Sequence, residues 1–425
     1  MDGIKHQLKD TVTKNVIINT LGNYLGFFIG GLYTILLFRF FDPYEFGVLS
    51  ILLALSYLLA NVLSFGIPAT LYATIPSLLP DKEKAYDFLK SNFIFQTTLA
   101  SASLLLIYAL LPHYDMQLFK LDLPNYYYAI TLISTLLYIW QNFIRDAMNA
   151  AERFLQINTA TNISNIVKII LIVWLGFQGK LTIATTIVIL GIVGPLIVFF
   201  AVLIGRRQIV RSLTQHKIVR SHIKLRFTMP YFISTQLFNL TTRADLFLIA
   251  YFLTTVDAGH YSVAQRVIFV IITSIDSITQ VLSAEFSKVS LRKDVIKLTR
   301  RAFYYMAIPS IILLVLAGLP SFIYELLIPP AYSPSIPLVR SLSLTYIPFA
   351  FDAALLLFFL YTLRKPEFVL FVNILMLLLV TIFHILLIPR MGINGPAISF
   401  GITYVVITFV IGAGLLREFR LLKDE

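Results

Sequence analysis

The sequence predicts an all-α membrane protein of twelve transmembrane helices, arranged as two six-helix lobes related by a pseudo-two-fold axis along the membrane normal. Of its 425 residues, 58% are hydrophobic and only 13% are charged, whereas charged residues make up about 25% of a typical soluble domain. Twelve apolar runs of roughly 20 residues each are long enough to cross about 30 Å of hydrocarbon. The two halves of the chain also share a short repeated pattern, which predicts the two lobes.

The first six apolar runs lie at 16–38, 46–72, 93–111, 126–144, 157–175 and 181–204. The second six lie at 227–253, 261–286, 302–327, 338–361, 368–388 and 397–416. The longest outer loop is predicted at 112–125, followed by three tyrosines at 126–128 that are typical of an interfacial aromatic belt. Glycine and proline pairs predict kinks within three of the runs, at Gly66 and Pro68, Gly194 and Pro195, and Gly318 and Pro320.

The net charge of +12 follows the predicted topology, so it does not call for a nucleic-acid partner. Outside the apolar runs, all but four of the Lys and Arg side chains fall in the termini and the even-numbered connections. The four in the opposite loops are Arg39, Lys120, Lys180 and Arg390. Because basic residues accumulate on the cytoplasmic side, we expect a cell-membrane protein with both termini in the cytoplasm. The first apolar run is too long for a cleavable signal peptide and is expected to remain as an anchor.

A basic cytoplasmic linker at 205–226 divides the chain into an N-terminal lobe at 16–204 and a C-terminal lobe at 227–416. A cytoplasmic segment at 1–15 precedes the first lobe, and a cytoplasmic tail at 417–425 follows the second. The pattern Phe40, Gly47, Ser50 recurs 212 residues later as Phe252, Gly259, Ser262. Because each half has an even number of spans, both copies enter the membrane in the same sense, with a substrate path expected between parallel repeats.

Four cationic side chains, those of Lys168, Arg243, Arg266 and Arg340, lie inside the apolar runs. Placing such a charge at the bilayer centre costs at least about 2.5 to 3.5 kcal/mol, so these residues usually face a polar cavity. We expect them to bind an anionic substrate. Arg266 and Arg340 lie near the outer ends of their spans and have a second interpretation, in which they reach out to the membrane surface.

A polar stripe accompanies each of the two deeper cations. Asn158, Asn162 and Asn165 share a helical face with Lys168, and Gln236 and Asn239 precede Arg243. One interpretation is a cavity lining. The other is hydrogen bonding between neighbouring helices, worth about 0.6 kcal/mol for each bond in a membrane.

Three carboxylates, those of Asp245, Asp276 and Asp352, are candidates for ion coupling because a buried carboxylate tends to hold a proton. They could equally neutralise the buried cations. His384 has no other metal ligand at a suitable spacing, so we expect neither a metal nor a cofactor. Without cysteine, thiol chemistry is excluded, and the short loops leave no catalytic domain of the kind that a membrane glycosyltransferase or polymerase needs.

The chain resembles the Wzx-type flippases of lipid-linked oligosaccharides, within the multidrug/oligosaccharidyl-lipid/polysaccharide (MOP) exporter superfamily. The residues that carry this resemblance follow one another in order along nearly the whole chain. They are Arg39, Pro43, Glu45, Phe46, Gly47, Ser50, Gly66, Ala151, Glu152, Arg153, Phe154, Asp245, Gly259, Tyr261, Ser262, Ala264, Arg266, Gly392, Ile393, Gly395 and Ala397. Pro396, and Pro329 with Pro330 ahead of Tyr332, depart from the pattern and put the geometry of the outer loops in question.

The resemblance implies two lobes around a cavity that opens alternately to either side, and a cargo of polyprenyl-type lipid (pyro)phosphate carrying a glycan. We therefore expect a non-enzymatic, monomeric flippase, with membrane lipids as further partners and H⁺ or Na⁺ as candidate coupling ions. A drug or organic-cation antiporter is an alternative, although it needs more cavity carboxylates than this chain has. A lipid II flippase is another, but that branch usually carries two extra helices.

Overall fold

The computed structural model describes residues 28–33, 35–78, 81–119, 123–204, 243–286, 291–363 and 365–419, with scattered positions at 22–26 and 232–241. Throughout these ranges the chain forms helices joined by short turns. The helices are α1 Pro43–Val62, α2 Ile67–Leu78, α3 Lys82–Phe119, α4 Asn125–Ala150, α5 Phe154–Phe177, α6 Ile183–Val188, α7 Gly194–Ile204, α8 Ala244–Phe252, α9 Thr255–Phe286, α10 Arg292–Gly318, α11 Ser321–Leu327, α12 Ser335–Leu357, α13 Pro366–Met391 and α14 Gly395–Phe419.

The all-α membrane fold is confirmed, since eight helical stretches in the described ranges are long and apolar enough to cross a membrane. Two of these stretches contain more than one of the helices above, and the longest, Pro366–Phe419, covers two predicted spans. The first and seventh predicted spans are described only in part. The segment at 1–15, the linker at 205–226 and most of the C-terminal tail lie outside the described residues.

One predicted boundary is wrong. The expected outer loop at 112–125 is helical through Phe119, because α3 runs for 38 residues from Lys82 and extends well past the apolar run from which it was predicted. The ninth span, predicted over 302–327 with a kink at Gly318 and Pro320, ends at Gly318 and restarts as α11 at Ser321. Pro320 cannot continue a helix that needs its N–H group, which explains the break.

The predicted kinks have different forms. At the first, Phe65 and Gly66 both adopt positive φ angles, of 50° and 72°, and the chain turns between α1 and α2. At the second, a π-helical turn at Ile189–Val193 joins α6 to α7, which begins at Gly194. Such turns insert an extra residue into a helix and are frequent at functional sites.

The chain forms two compact units. The first comprises Met1–Phe40, Leu52–Gln117 and Leu121–Gln236. Its core contains an apolar cluster between α1, α3 and α4, which includes Ala100 and Ile139, and another between α4, α5 and α7, which includes Ile157 and Val198. Tyr128 is fully buried, so at least this member of the tyrosine cluster packs in the interior instead of forming an interfacial belt.

The second unit comprises Phe41–Ile51, Leu118–Lys120 and Leu237–Glu425. Helices α9, α10, α12, α13 and α14 pack on one another, and Tyr346 of α12 forms an aromatic cluster with Phe400 and Tyr404 of α14. His384 packs edge-on against Phe400 at 5.1 Å between ring centroids. Its burial among aromatic rings fits a packed histidine.

Within the second unit, the starts of α1 and α9 repeat each other in detail. At the start of α1, Asp42 accepts a hydrogen bond from the N–H of Glu45, whose carboxylate accepts one from the N–H of Asp42. At the start of α9, the side chains of Thr254 and Asp257 make the same reciprocal pair of bonds with backbone N–H groups. Both pairs are capping boxes, and each residue of the second lies 212 positions after its counterpart. This is the offset of the sequence repeat.

The two repeated helices cross at their glycines. A Cβ atom added to Gly47 would lie 2.0 Å from the carbonyl oxygen of Thr255, and one added to Gly259 would lie 2.0 Å from that of Pro43. Thr255 and Pro43 are themselves related by the 212-residue offset, so the contact is reciprocal. A local pseudo-two-fold axis therefore passes between the two glycines, and only glycine permits this backbone approach.

Tyr332 braces the same crossing from the turn before α12. Its phenol is 2.9 Å from the carbonyl oxygens of both Phe41 and Asp42, to which it can donate, and its ring meets Phe46 edge-on at 5.9 Å. Burial, together with the negative charges of Asp42 and Glu45, raises the pKa of the Tyr332 phenol. The hydroxyl therefore stays protonated and remains a donor.

Substitution of Gly47 by alanine is expected to destabilise the protein at this helix crossing. The new methyl group would overlap a backbone carbonyl, which cannot rotate away as a side chain can, so we expect a loss of about 3 kcal/mol, at the upper end for overpacking. The apparent unfolding temperature of the detergent-solubilised protein should fall sharply. Gly412→Ala is the matched control, because no described atom lies within 4 Å of its added Cβ. Equal unfolding temperatures for the two variants would contradict the proposed role of the crossing.

Candidate substrate and ion sites

Lys168 is buried inside the first unit, with 8% of its surface exposed. Its Nζ donates a hydrogen bond to Oδ1 of Asn165 at 3.2 Å. The side chain lies over Gly194, where an added Cβ would be 2.1 Å from Lys168 Cε and 2.9 Å from Nζ. Within the described ranges, Lys168 forms no ion pair. The absence of a side chain at the start of α7 therefore makes room for an ammonium group whose protein partner is a neutral amide.

The turn beside Lys168 is held from the neighbouring helix. Ser164, one helical turn before Lys168, donates a hydrogen bond to the carbonyl oxygen of Gly194 at 2.8 Å. This carbonyl directly follows the π-helical turn, where the regular bonding pattern of the helix is interrupted. The bond fixes α7 against α5 and so fixes the position of Gly194 beneath the lysine.

The asparagine stripe of α5 packs against glycines of the N-terminal segment. Asn162 and Asn165 donate to the carbonyl oxygens of Gly22 and Gly26 at 3.3 and 3.4 Å, and Asn158 occupies the space that a Cβ of Gly22 would need. The contacts are those of hydrogen bonding between helices, the second of the two interpretations. Asn165 combines both roles, because its amide nitrogen bonds the glycine while its oxygen accepts from Lys168.

Arg243 is half-buried at the N-cap of α8. Its guanidinium lies 4.7 Å from the ring centroid of Phe269 on α9, a distance suited to a cation–π contact. Two polar residues precede Arg243 in the predicted stripe. The first, Gln236, is half-buried and donates a hydrogen bond to the carbonyl oxygen of Asn61 at 3.2 Å, and both residues belong to the first unit. Asn239 is also half-buried.

The two outer arginines contact different groups. The guanidinium of Arg266 lies 4.9 Å from the ring centroid of Phe46, near the glycine crossing. Arg340 donates through Nη2 to the carbonyl oxygen of Leu319 and to Ser321 Oγ. Those two residues flank the break between α10 and α11. Arg340 therefore supplies hydrogen-bond donors at the point where the backbone N–H bonding of the helix is interrupted. Its contacts are those of a positioning residue for this break.

Asp245 is fully buried and hydrogen-bonded on all sides. One carboxylate oxygen accepts from the hydroxyl of Tyr261 at 2.6 Å and from Nε2 of Gln265 at 2.7 Å. The other accepts from the N–H of Leu246. Three donors satisfy the carboxylate and tie α8 to α9, so the geometry is that of a structural anchor. Tyr261 was among the residues that carry the family resemblance, but neither its contact with Asp245 nor the role of Gln265, which follow Asp245 at 16 and 20 residues, was predicted from the sequence.

Asp352 is 3% exposed and has fewer partners. Its Oδ2 lies 2.9 Å from the hydroxyl of Thr408 on α14. Its Oδ1 is buried without a hydrogen-bond partner among the described residues. The Thr408 hydroxyl also lies 2.8 Å from the carbonyl oxygen of Tyr404. One hydroxyl proton cannot fully serve two acceptors, so a proton on Asp352, donated to Thr408, would allow both of these contacts to be hydrogen bonds.

Asp276 has an exposed side chain on α9, unlike the other two carboxylates, and forms no ion pair within the described part of the chain. The interpretation in which it neutralises a buried cation therefore has no support from these contacts. The described residues also contain no group of three or more potential metal ligands.

Residues 12–283 match the family described as "Polysaccharide biosynthesis protein", which is more than half of the chain. The chain belongs to this family. A comparison with curated protein sequences returns no match.

Solved structures confirm the fold. The lipid II flippase MurJ in an inward closed conformation is similar with a TM-score of 0.74 and 15% identity, over 95% of this chain and 89% of that one. An inward-facing multidrug resistance MATE family transporter of the MOP superfamily gives 0.69 and 17%, over 95% of both chains. A mutant form of the MATE transporter VcmN of Vibrio cholerae gives 0.65 and 13%, over 97% and 98%. The family match confirms the resemblance noted in the sequence, and at these identities the structural matches speak for the fold alone.

Asparagine substitutions should separate the two buried carboxylates. In Asp245→Asn, either orientation of the amide places its NH₂ group against an existing donor, at a cost of about 1 to 3 kcal/mol. In Asp352→Asn, the Thr408 hydroxyl can either donate or accept, so the change should be close to neutral. The apparent unfolding temperatures in detergent should therefore fall for Asp245→Asn and stay near that of the wild type for Asp352→Asn. An equal fall in both would contradict the assigned hydrogen bonding.

Proposed function

We propose that this protein is a flippase, which moves a lipid-(pyro)phosphate-linked oligosaccharide from the cytoplasmic to the outer leaflet by alternating access, for the synthesis of a surface glycan. Membership of the polysaccharide biosynthesis family and the fold shared with MurJ and the MATE transporters support this proposal. The observation that carries it is Lys168. A fold shared with drug transporters does not itself call for a buried ammonium group, whereas such a group suits a phosphate cargo.

The surroundings of Lys168 suit a transient anion partner. A buried cation is costly unless it is paired, and the neutral amide of Asn165 compensates only part of that cost. A phosphate oxygen arriving beside Nζ would complete the pairing through a charge-assisted hydrogen bond. No carboxylate within the described ranges competes for the ammonium group, so binding the cargo would not first require an ion pair to break.

The arginines of the second unit have different parts in this proposal. Arg243 presents a guanidinium on an aromatic ring, and guanidinium groups suit phosphate because their planar donors match two oxygens at once. Arg266, over Phe46, is a weaker candidate for the same role. Arg340 is assigned to the break between α10 and α11, because its Nη2 donors are already used there.

Coupling is assigned to Asp352, with H⁺ as the first candidate ion and Na⁺ as the second. A proton shared between Asp352 and Thr408 suits the role of coupling ion, because its loss would leave a charged and incompletely hydrogen-bonded carboxylate between α12 and α14. Such a loss would favour a rearrangement of these helices. Asp276, exposed on α9, is the second candidate for this role.

The distribution of basic residues supports the proposed orientation, with both termini in the cytoplasm of a cell-membrane protein. We further propose that the protein works as a monomer, without a cofactor and without enzymatic activity. The alternatives are distinguishable by their cargo. A drug or organic-cation antiporter would alter the drug susceptibility of its host, and a lipid II flippase would be essential for peptidoglycan synthesis.

Substitution of Lys168 by methionine should abolish glycan delivery. Methionine is of similar length and is readily accommodated beside Gly194, so the protein should still insert and fold while the charge is lost. Cells that depend on this variant should show at least a tenfold loss of surface glycan, measured with antibody or lectin and normalised to the amount of protein in the membrane. Lys180→Met, which removes an exposed lysine three residues beyond the end of α5, is the matched control and should deliver normally.

A second variant displaces the charge without removing it. In Gly194→Ala, the added methyl would occupy the present position of Lys168 Cε, and the flexible side chain must move. Delivery should fall while the charge remains. Normal surface glycan in membrane-inserted Lys168→Met would overturn the role of this residue, whatever the result for Gly194→Ala.

A further inference from the structure

An apolar groove of about 630 Å³ lies on the surface of the second unit, between the first half of α10 and the last turns of α12 and α14. Its walls are formed by Ile296 and Phe303 of α10, Leu355 of α12, and Leu415 and Phe419 of α14. Ile296 and Phe303 remain 50% and 37% exposed. The groove is therefore a surface feature that an external apolar chain could fill.

The floor of the groove is open at Gly412. No described atom lies within 4 Å of a Cβ added at this position, although Gly412 is inside α14, two turns before its end, where glycine weakens a helix by about 1 kcal/mol relative to alanine. The missing side chain deepens the groove. A larger residue here would fill it without displacing the backbone.

One rim of the groove is cationic and aromatic, because Arg300 and Tyr304 line it, and Arg301 and Tyr305 are the next residues along α10. Arg300 donates through Nε to the hydroxyl of Tyr304 at 3.3 Å, and Arg301 donates to Tyr305 at 3.0 Å. Each guanidinium also lies over the ring of its tyrosine partner, at 5.8 and 5.6 Å from the centroid. Both arginines are exposed, and neither forms an ion pair within the described part of the chain.

The charge at this end of α10 extends beyond the two arginines. Lys293 and Lys297 are exposed on the preceding turns, and Lys293 lies seven residues before Arg300, so the two share a helical face. Asp294 is the one acid in the first turn. An anion at this rim would therefore meet several cations, with tyrosine hydroxyls beside them.

Past the rim, the outward face of α10 is apolar. Ile308, Ile311 and Leu314 are 57%, 58% and 57% exposed, as expected for a helix that faces lipid. Charged side chains followed by tyrosines and then by exposed aliphatic residues are the order of groups met on passing from a headgroup region into hydrocarbon.

We propose that this groove binds an anionic glycerophospholipid of the cytoplasmic leaflet, with an acyl chain along Gly412 and the headgroup phosphate on Arg300 and Arg301. The placement in the cytoplasmic leaflet rests on the orientation given under the proposed function. The cationic rim selects an anionic headgroup over a zwitterionic one, and the groove requires an attached apolar chain. This lipid is a bound partner of the second unit and not the transported cargo.

The test is retention of lipid by the purified, full-length protein. Protein reconstituted in nanodiscs containing equal amounts of phosphatidylglycerol and phosphatidylcholine is released from them and examined by native mass spectrometry, which counts the lipids that stay bound. Two variants address the two parts of the site, Gly412→Leu for the groove and the double variant Arg300→Gln with Arg301→Gln for the rim. Their controls are Gly318→Leu, at a glycine whose added Cβ also meets no described atom within 4 Å, and Arg390→Gln, which removes an exposed cation at the far end of α13.

The wild type and both controls should retain phosphatidylglycerol in preference to phosphatidylcholine. Gly412→Leu should lose the bound lipid, and the double variant should bind about fivefold less tightly for each charge removed. Inorganic phosphate added alone should not compete, because it has no chain for the groove.

Equal retention of the two lipids, or unchanged retention in Gly412→Leu and in the double variant, would overturn the proposal. Displacement of phosphatidylglycerol by a polyprenyl phosphate at equal concentration would also overturn it, by assigning the groove to the carrier lipid. Because retention is measured without transport, its failure is distinct from a failure of the proposed flippase activity.

Discussion

The backbone contact between Gly47 and Gly259 is the constraint on which the second unit depends. Two helices that begin with equivalent capping boxes can approach to this distance only where both lack a Cβ atom. The reciprocal contact then fixes the direction in which α9 leaves the crossing. Tyr261 and Gln265, on the next turns of α9, are thereby brought to Asp245 of α8, and Arg266 is brought to Phe46. The polar interior of this unit thus follows from a packing condition at two glycines.

Ionisable groups inside the apolar helices are accommodated in three physically different ways. Asp245 is satisfied by three donors and acts as an anchor. Asp352 has one hydroxyl neighbour and an unpartnered oxygen among the described residues, which favours a carried proton. Lys168 has a neutral amide partner and space provided by Gly194, which favours an anion that comes and goes. The number and type of hydrogen-bond partners, more than burial itself, distinguish an ionisable group that holds the structure together from one that is proposed to bind a proton or a substrate.

Much of the fold could be predicted from the sequence, because apolar run length and the placement of Lys and Arg are set by the bilayer and hardly depend on tertiary contacts. The repeat was visible for a similar reason, since a backbone crossing demands glycine itself at 47 and 259. The candidate site was less accessible. Nothing in the sequence shows that Gly194 lies under Lys168, because this depends on the π-helical turn between α6 and α7. The same limit applies to Thr408 beside Asp352, where the two residues are 56 positions apart, and to the asparagine stripe, whose glycine partners lie on another helix.

The central claim is that the cargo is a lipid-linked glycan crossing towards the outer leaflet, and the most direct measurement follows that cargo. The protein is depleted from its native cells, and the lipid-linked glycans are extracted, identified by mass spectrometry and assigned to a leaflet by their accessibility to an enzyme added from outside. The account predicts that one glycan-carrying lipid (pyro)phosphate accumulates in the inner leaflet while the corresponding surface glycan disappears. Unchanged amounts and leaflet distribution of every such lipid, with the surface glycan intact, would contradict it.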